Sequence, residues 1–312
     1  MEKSQRTGIV VYLLITFVGA WLCWSMGMLA RIPVNSPFFQ VILLPGGLMP
    51  AIAALIVRLW VTREGLSDAG LRLSLRGGKW RYYLIALLLP LMNTTLIVSA
   101  SSLLGIARPD FTLQHFFQLY APAAHVGPLP LALWPVLLLQ LLISAVVATP
   151  VLWGEEFGWR SYLQLRLFAG HPQLAAIATG VIWGCWHLPL IFMGYEGYPD
   201  PWWGAILFIL FTIELSIIFG WLRLSSGSIW ASSLAHAATN TIGGNLSVML
   251  FTGNAQFFVV ADNGVLSILL LGCLAFWLML SGRLKAGLQT KAATAGARAC
   301  LVAGKQQERA SQ

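Results

Sequence analysis

Charge is what this sequence most lacks. Charged side chains make up 10% of its 312 residues, whereas 58% are apolar and 14 are tryptophan. A soluble domain carries roughly a quarter charged residues, so too little polar surface is available here to cover an apolar interior in water. Four cysteines are too few for a disulfide framework. Cys23, Cys185 and Cys273 lie in apolar runs, and Cys300 lies in a polar stretch. Neither H-E-x-x-H nor G-x-S-x-G occurs, which removes the helix-borne zinc protease signature and the serine hydrolase elbow. No internal repeat is visible, so an inverted-repeat transporter has no support from the pattern.

What is present is a series of apolar runs of spanning length. Each predicts a transmembrane helix, because only a helix satisfies its own backbone groups in lipid. Eight are expected, near 8–29, 39–60, 82–106, 132–153, 173–193, 203–222, 229–251 and 264–281. The first follows Lys3 and Arg6 like a signal peptide but has the length of a span, and is read as a retained helix. The fourth is expected to continue past Trp153, since no helix stop appears before Gly170-His171-Pro172. The fold class predicted is therefore an all-α, polytopic membrane protein.

The net charge of +8 could suggest a nucleic-acid partner, but its placement indicates lipid. With the N-terminus inside, every basic residue except Arg31 and Arg108 falls on the cytoplasmic side, as the positive-inside rule requires. Both termini are then cytoplasmic, and the basic loop 58–81 is an inner-face anchor. The organisation expected is a three-span scaffold (1–130), a five-span catalytic core (131–283) and a flexible basic tail (284–312). A multi-pass protein of the cell membrane, with lipid and no nucleic acid as partner, follows.

Ionisable groups inside spans are costly and point to function. Glu155, Glu156, His187, Glu214 and His236 are of this kind, and all lie in the second half. At 100° per residue, Glu156 and Arg160 sit about 40° apart on one helix face and can pair. Glu155 lies about 140° from Arg160, which leaves it as a free carboxylate suited to general-base work. Ala176, Gly180 and Gly184 form a stripe of small residues that lets helices approach closely. His187 falls about 20° from that stripe and so points into the bundle. His236 and Asn240, four apart, share a polar, small-residue face with Ser233, Ala237, Gly244 and Ser247. Taken singly, each is also compatible with a polar helix end, a buried core histidine or an interhelical hydrogen-bond seam. Taken together, a carboxylate and two imidazoles can bind a metal or activate water, and an amide can donate to an oxyanion.

These residues resemble the CAAX prenyl protease and bacteriocin-processing family. Its motifs appear as Glu155-Glu156 with Arg160, as Trp183-x-x-x-His187 with Trp in place of the usual Phe, and as His236-x-x-x-Asn240. The resemblance covers about residues 130–255. It implies an intramembrane endopeptidase acting on a hydrophobic or prenylated, CAAX-like peptide. In it Glu155 activates water, His187 assists or ligates, Glu156 and Arg160 position, and His236 and Asn240 stabilise the oxyanion. Zinc or another divalent metal, held by Glu155, His187 and His236, and a metal-free glutamate mechanism are both compatible with it. The competing readings are a silent membrane scaffold or immunity protein, and a proton-coupled transporter using Glu214. One tension is geometric: His236 lies about 10 Å and His187 about 21 Å into their spans.

Overall fold

The computed structural model describes residues 3–34, 36–124 and 126–284. The chain is an all-α, polytopic membrane protein, 76% helical. The expected tail, from residue 285 on, lies outside the described residues.

In chain order the helices are α1 (Lys3–Leu29), α2 (Pro37–Ile56), α3 (Trp80–Leu103), the short α4 (Gln114–Tyr120), α5 (Trp134–Gly158), α6 (Gln164–Arg166), α7 (Pro172–Trp186), α8 (Leu188–Phe192), α9 (Pro201–Ser226), α10 (Ile229–Ala238), α11 (Asn245–Phe251), α12 (Phe257–Val260) and α13 (Val265–Leu280). Three π-helical turns prolong them, Val57–Val61 after α2, Trp159–Leu163 between α5 and α6, and Thr239–Gly244 between α10 and α11. Such wide turns cluster at functional sites. The second follows Glu155-Glu156 by two residues, and the third contains Asn240.

Local chemistry sets these boundaries. Asp200 caps α9 by accepting from the backbone N–H of Trp202 and Trp203, 2.9 Å each, with Pro201 at the first helical position. Gly227 ends α9 in the left-handed region (φ 73°) and Ser228 caps α10 at once, which folds the two helices into a tight antiparallel pair. The continuation past Trp153 holds, because a single helical run covers Leu131–Arg166.

Among the described residues, six helices are long and apolar enough to cross a membrane. They correspond to the first, second, third, fourth, sixth and eighth runs. The fifth fails by length and the seventh by polarity. The fifth stops at Trp186 because Pro189 follows, giving only 15 residues in α7. The seventh is continuous from 229 to 251, yet 10 of its 23 residues are Ser, Thr, Asn, His or Gly. These two segments carry His187, His236 and Asn240.

Small residues draw the core helices together. An added Cβ on Gly180 would lie 2.4 Å from Ile213 Cα, and one on Gly184 would lie 2.9 Å from Ile209 Cα, so the expected stripe seats α7 on α9. On α5, Gly154 meets Leu48 and Gly158 meets Pro50 of α2. Helix α10 packs against α5, α3 and α9 and is buried almost throughout, with Ser232 and Ser233 returning their hydroxyls to Ile229 O.

The basic loop departs from the expected surface anchor at one residue. Arg58 is fully buried, and its guanidinium donates to Gly65 O (2.9 Å) and Asp68 Oδ1 (2.7 Å) and reaches Ser161 O. Arg166 pairs with Glu64, and Arg223 donates to Asp68 O (2.8 Å). These arginines bind the loop after α2 to the π turn after α5, to α6 and to α9 rather than to lipid.

Candidate active site

One residue holds the site together. The Trp183 indole Nε1–H donates to Glu155 Oε2 at 2.9 Å. Its backbone carbonyl accepts from His187 Nδ1 at 3.0 Å. Its ring lies edge-on to His236, centroids 5.2 Å apart, and carries the Arg160 guanidinium 4.2 Å above it. Four ionisable side chains from α5, the π turn that follows it, the end of α7 and α10 thus meet one indole. The tension in depth between the two histidines resolves here, because Trp183 spans the distance between them.

The helix break at Pro189 sets the His187 ring. The backbone N–H of His187 bonds Gly184 O (3.1 Å) instead of continuing the α ladder. The Trp183 carbonyl that it abandons is taken by the imidazole. Since a carbonyl only accepts, Nδ1 carries the proton and Nε2 keeps its lone pair. Trp186 and Phe208 stand 4.8 Å from the ring, centroid to centroid, and enclose it in apolar surface.

Glu156 and Arg160 meet as the i, i+4 spacing predicts. Arg160 Nη1 stands 2.8 Å from Glu156 Oε1 with both side chains fully buried, although none of the guanidinium N–H groups is aligned for a hydrogen bond. Stacking on Trp183 and Phe219 supplies the rest of its contact. The same Oε1 lies 3.1 Å from His236 Nδ1, a contact that the spacing of the motifs does not predict. A carboxylate fixes Nδ1–H in the ring and directs Nε2 away from itself.

Two further expectations need correction. Glu155 is not a free carboxylate, since Trp183 donates to it. The stacking of His236 on Asn240 assumed α geometry through position 240, but the backbone widens at Thr239. His236 is 4% exposed, and Asn240 is exposed. Both still line one cavity of about 750 Å³, together with Trp183 and His187. Glu155 is not among its lining residues and connects to it through Trp183. Glu196 and Asp262, which the motif reading did not single out, stand in the same wall. Glu214 does not; it faces the position of Gly272 on α13.

A metal fits this arrangement poorly. Among the described residues no three His, Cys, Asp or Glu side chains gather as a ligand set; Glu155 is bound to the Trp183 indole N–H and His187 to the Trp183 carbonyl. No step is therefore derived through a metal.

Residues 130–242 match the family model described as type II CAAX prenyl endopeptidase Rce1-like. That stretch contains Glu155, Glu156, Arg160, His187, His236 and Asn240. The chain is also similar to CAAX prenyl protease 2 of Methanococcus maripaludis, 25% identical over 234 residues, an alignment covering 72% of this chain and 80% of that protein. Through this core the chain is similar to the CAAX protease family that its motifs resemble.

Proposed function

We propose that the chain is an intramembrane endopeptidase that hydrolyses a peptide bond in a hydrophobic or lipidated, CAAX-like peptide. The observation that carries this reading is the convergence of Glu155, His187, His236 and Arg160 on Trp183, beside a cavity of about 750 Å³. Leu190, Phe208, Phe211 and Leu215 give that cavity an apolar side, which suits an apolar peptide or its lipid.

In the proposed reaction Glu155 takes a proton from water through the carboxylate oxygen that Trp183 does not occupy. The resulting hydroxide adds to the scissile carbonyl carbon. His187, with Nδ1–H committed to Trp183 O, offers the Nε2 lone pair to orient that water. Asn240 donates its amide N–H to the oxyanion in any protonation state. His236, with its Nδ1–H directed at Glu156, donates from Nε2 only as an imidazolium. Collapse breaks the C–N bond, and the proton held by Glu155 passes to the leaving amine. Glu156 and Arg160 touch no reacting atom in this scheme and act as positioning residues.

The test is purified wild type against Glu155→Ala and Glu155→Gln, with fluorogenic peptides both prenylated and plain, with and without chelator. Cleavage by wild type, lost in both variants at unchanged thermal stability, is expected. Equal cleavage by variant and wild type would remove Glu155 from the mechanism. Since no ligand set gathers, activity is expected to survive the chelator. The placement of Glu214 away from the cavity weighs against a proton relay running through the two histidines.

A further inference from the structure

Arg160 has a second side. Next to it lies a separate cavity of about 140 Å³, which shares no residue with the larger one and is lined by Arg160, Gln164, Arg223, Phe168, Pro172 and Ala175 among others. Its polar residues are deeply buried, with Arg160 and Arg223 each 1% exposed and Gln164 7%. Neither Gln164 Oε1 nor Nε2 has a hydrogen-bond partner, and neither Nε, Nη1 nor Nη2 of Arg160 has one. An added Cβ on Gly220 would come 2.2 Å from Gln164 Nε2, so the glycine is what leaves room for the amide to lie there.

The cavity also receives the start of a helix. α7 begins at Pro172, and His171 before it provides no side-chain cap. Pro172 carries no N–H and the Ala175 N–H is bonded to His171 O, so the helix contributes only its dipole, which makes that end attractive to negative charge. Two guanidiniums and the Gln164 amide are a set made mostly of donors. A cation is repelled, and an apolar guest would leave the donors buried and unmet. Water fits by volume, about four or five molecules at roughly 30 Å³ each, but it does not answer the Arg223 charge, whereas Arg160 already has the Glu156 carboxylate at 2.8 Å.

We propose that this cavity is a binding site for a small oxyanion of the carboxylate or phosphate class. Its volume excludes a peptide. The anion arrives either free in solution or as the phosphate of a membrane lipid, whose headgroup level the exposed Phe168 approaches in the positive-inside arrangement.

Thermal unfolding of the full chain in neutral detergent tests this, with sodium phosphate titrated against chloride at constant ionic strength and, separately, with solubilised phosphatidylglycerol. A saturable rise in Tm of wild type is expected with at least one probe. A response to phosphate identifies a free oxyanion, and a response to phosphatidylglycerol alone identifies the lipid phosphate. Gln164→Glu places a fixed carboxylate among the same donors at unchanged size, and is expected to abolish the response. If that variant does not fold, Gln164→Leu serves, raising the midpoint of the titration about tenfold by removing one neutral donor to a charged group. No saturable shift with either probe, or a Gln164→Glu protein that responds as wild type does, would overturn the assignment.

Discussion

Trp183 Nε1 lies 2.9 Å from Glu155 Oε2, so the indole, at a position where the motif it resembles has phenylalanine, holds the proposed base. A phenyl ring fills similar space and supplies no N–H. Trp183→Phe is therefore expected to leave the fold intact and to lower kcat about tenfold to a hundredfold, the range for losing a hydrogen bond to a charged group. KM should change little. Steady-state kinetics beside a thermal melt decides this, and an unchanged kcat would mean that the hydrogen bond is incidental.

The two adjacent glutamates are expected to separate activity from stability. Glu156→Gln leaves the Arg160 guanidinium buried without its carboxylate, and the loss of one partner from such a pair costs about 3–5 kcal/mol. Glu155→Gln keeps a hydrogen-bond acceptor for Trp183 and should remove activity with little change in Tm. Similar melts for the two variants would contradict the assignment of roles.

At Gly158 an added Cβ would lie 2.4 Å from Pro50 Cβ and 2.6 Å from its backbone carbon. Gly158→Ala must push α5 off α2. Overpacking of this kind costs about 1–3 kcal/mol, and the shift would carry Glu155 and Glu156 with it. A lower Tm together with reduced kcat is expected. Full activity would show that the two helices separate without moving the carboxylates.

Limited proteolysis reads the Arg58 brace. Arg58→Ala removes the contacts to Gly65 O, Asp68 and Ser161 O, and cleavage within residues 62–79 is expected to become several-fold faster while the transmembrane helices remain protected. Unchanged cleavage would leave Arg166 and Arg223 as the residues that hold the loop.

Glu196, in the cavity wall beyond the end of α8, has its carboxyl pushed up to about 8 by burial first and then by the Asp262 and Glu155 carboxylates. The folded group keeps its proton to about pH 8, whereas the unfolded one ionises near 4.5. Its contribution to stability is thus fully present below pH 4.5, declines as pH rises, and is gone above 8. Glu196→Gln should flatten that part of the Tm-against-pH curve. A curve that is identical in the variant would show that Glu196 ionises as an ordinary carboxylate.

Much of this arrangement was legible in the chain, for physical reasons that can be named. Apolar runs of bilayer length mark helices because no other structure satisfies the backbone in lipid. The i, i+4 spacing brought Glu156 to Arg160, and the Ala176-Gly180-Gly184 stripe marked the face of α7 that meets α9. What could not be read were contacts between helices far apart in sequence, such as His236 with Glu156 and Arg58 with Ser161 O. The departures from α geometry at Thr239 and at His187 also escaped, since a period of 3.6 presumes an unbroken ladder. The bonding capacity of Trp183 was visible as an indole N–H four residues before a histidine, but its acceptor was not.

The two segments that bear the histidines are the ones least able to enter a bilayer unaided. A 15-residue α7 is shorter than the hydrocarbon core, and the run from 229 to 251 loses too much by leaving water for lipid as a lone helix. Each becomes tenable only against partners, α7 against α9, and α10 against α3, α5 and α9. The apolar helices are long enough to span alone, whereas the histidine-bearing segments depend on the crevice those helices form. The proposed site therefore exists only in the assembled bundle, since each of its histidines is held by helices that no single segment supplies.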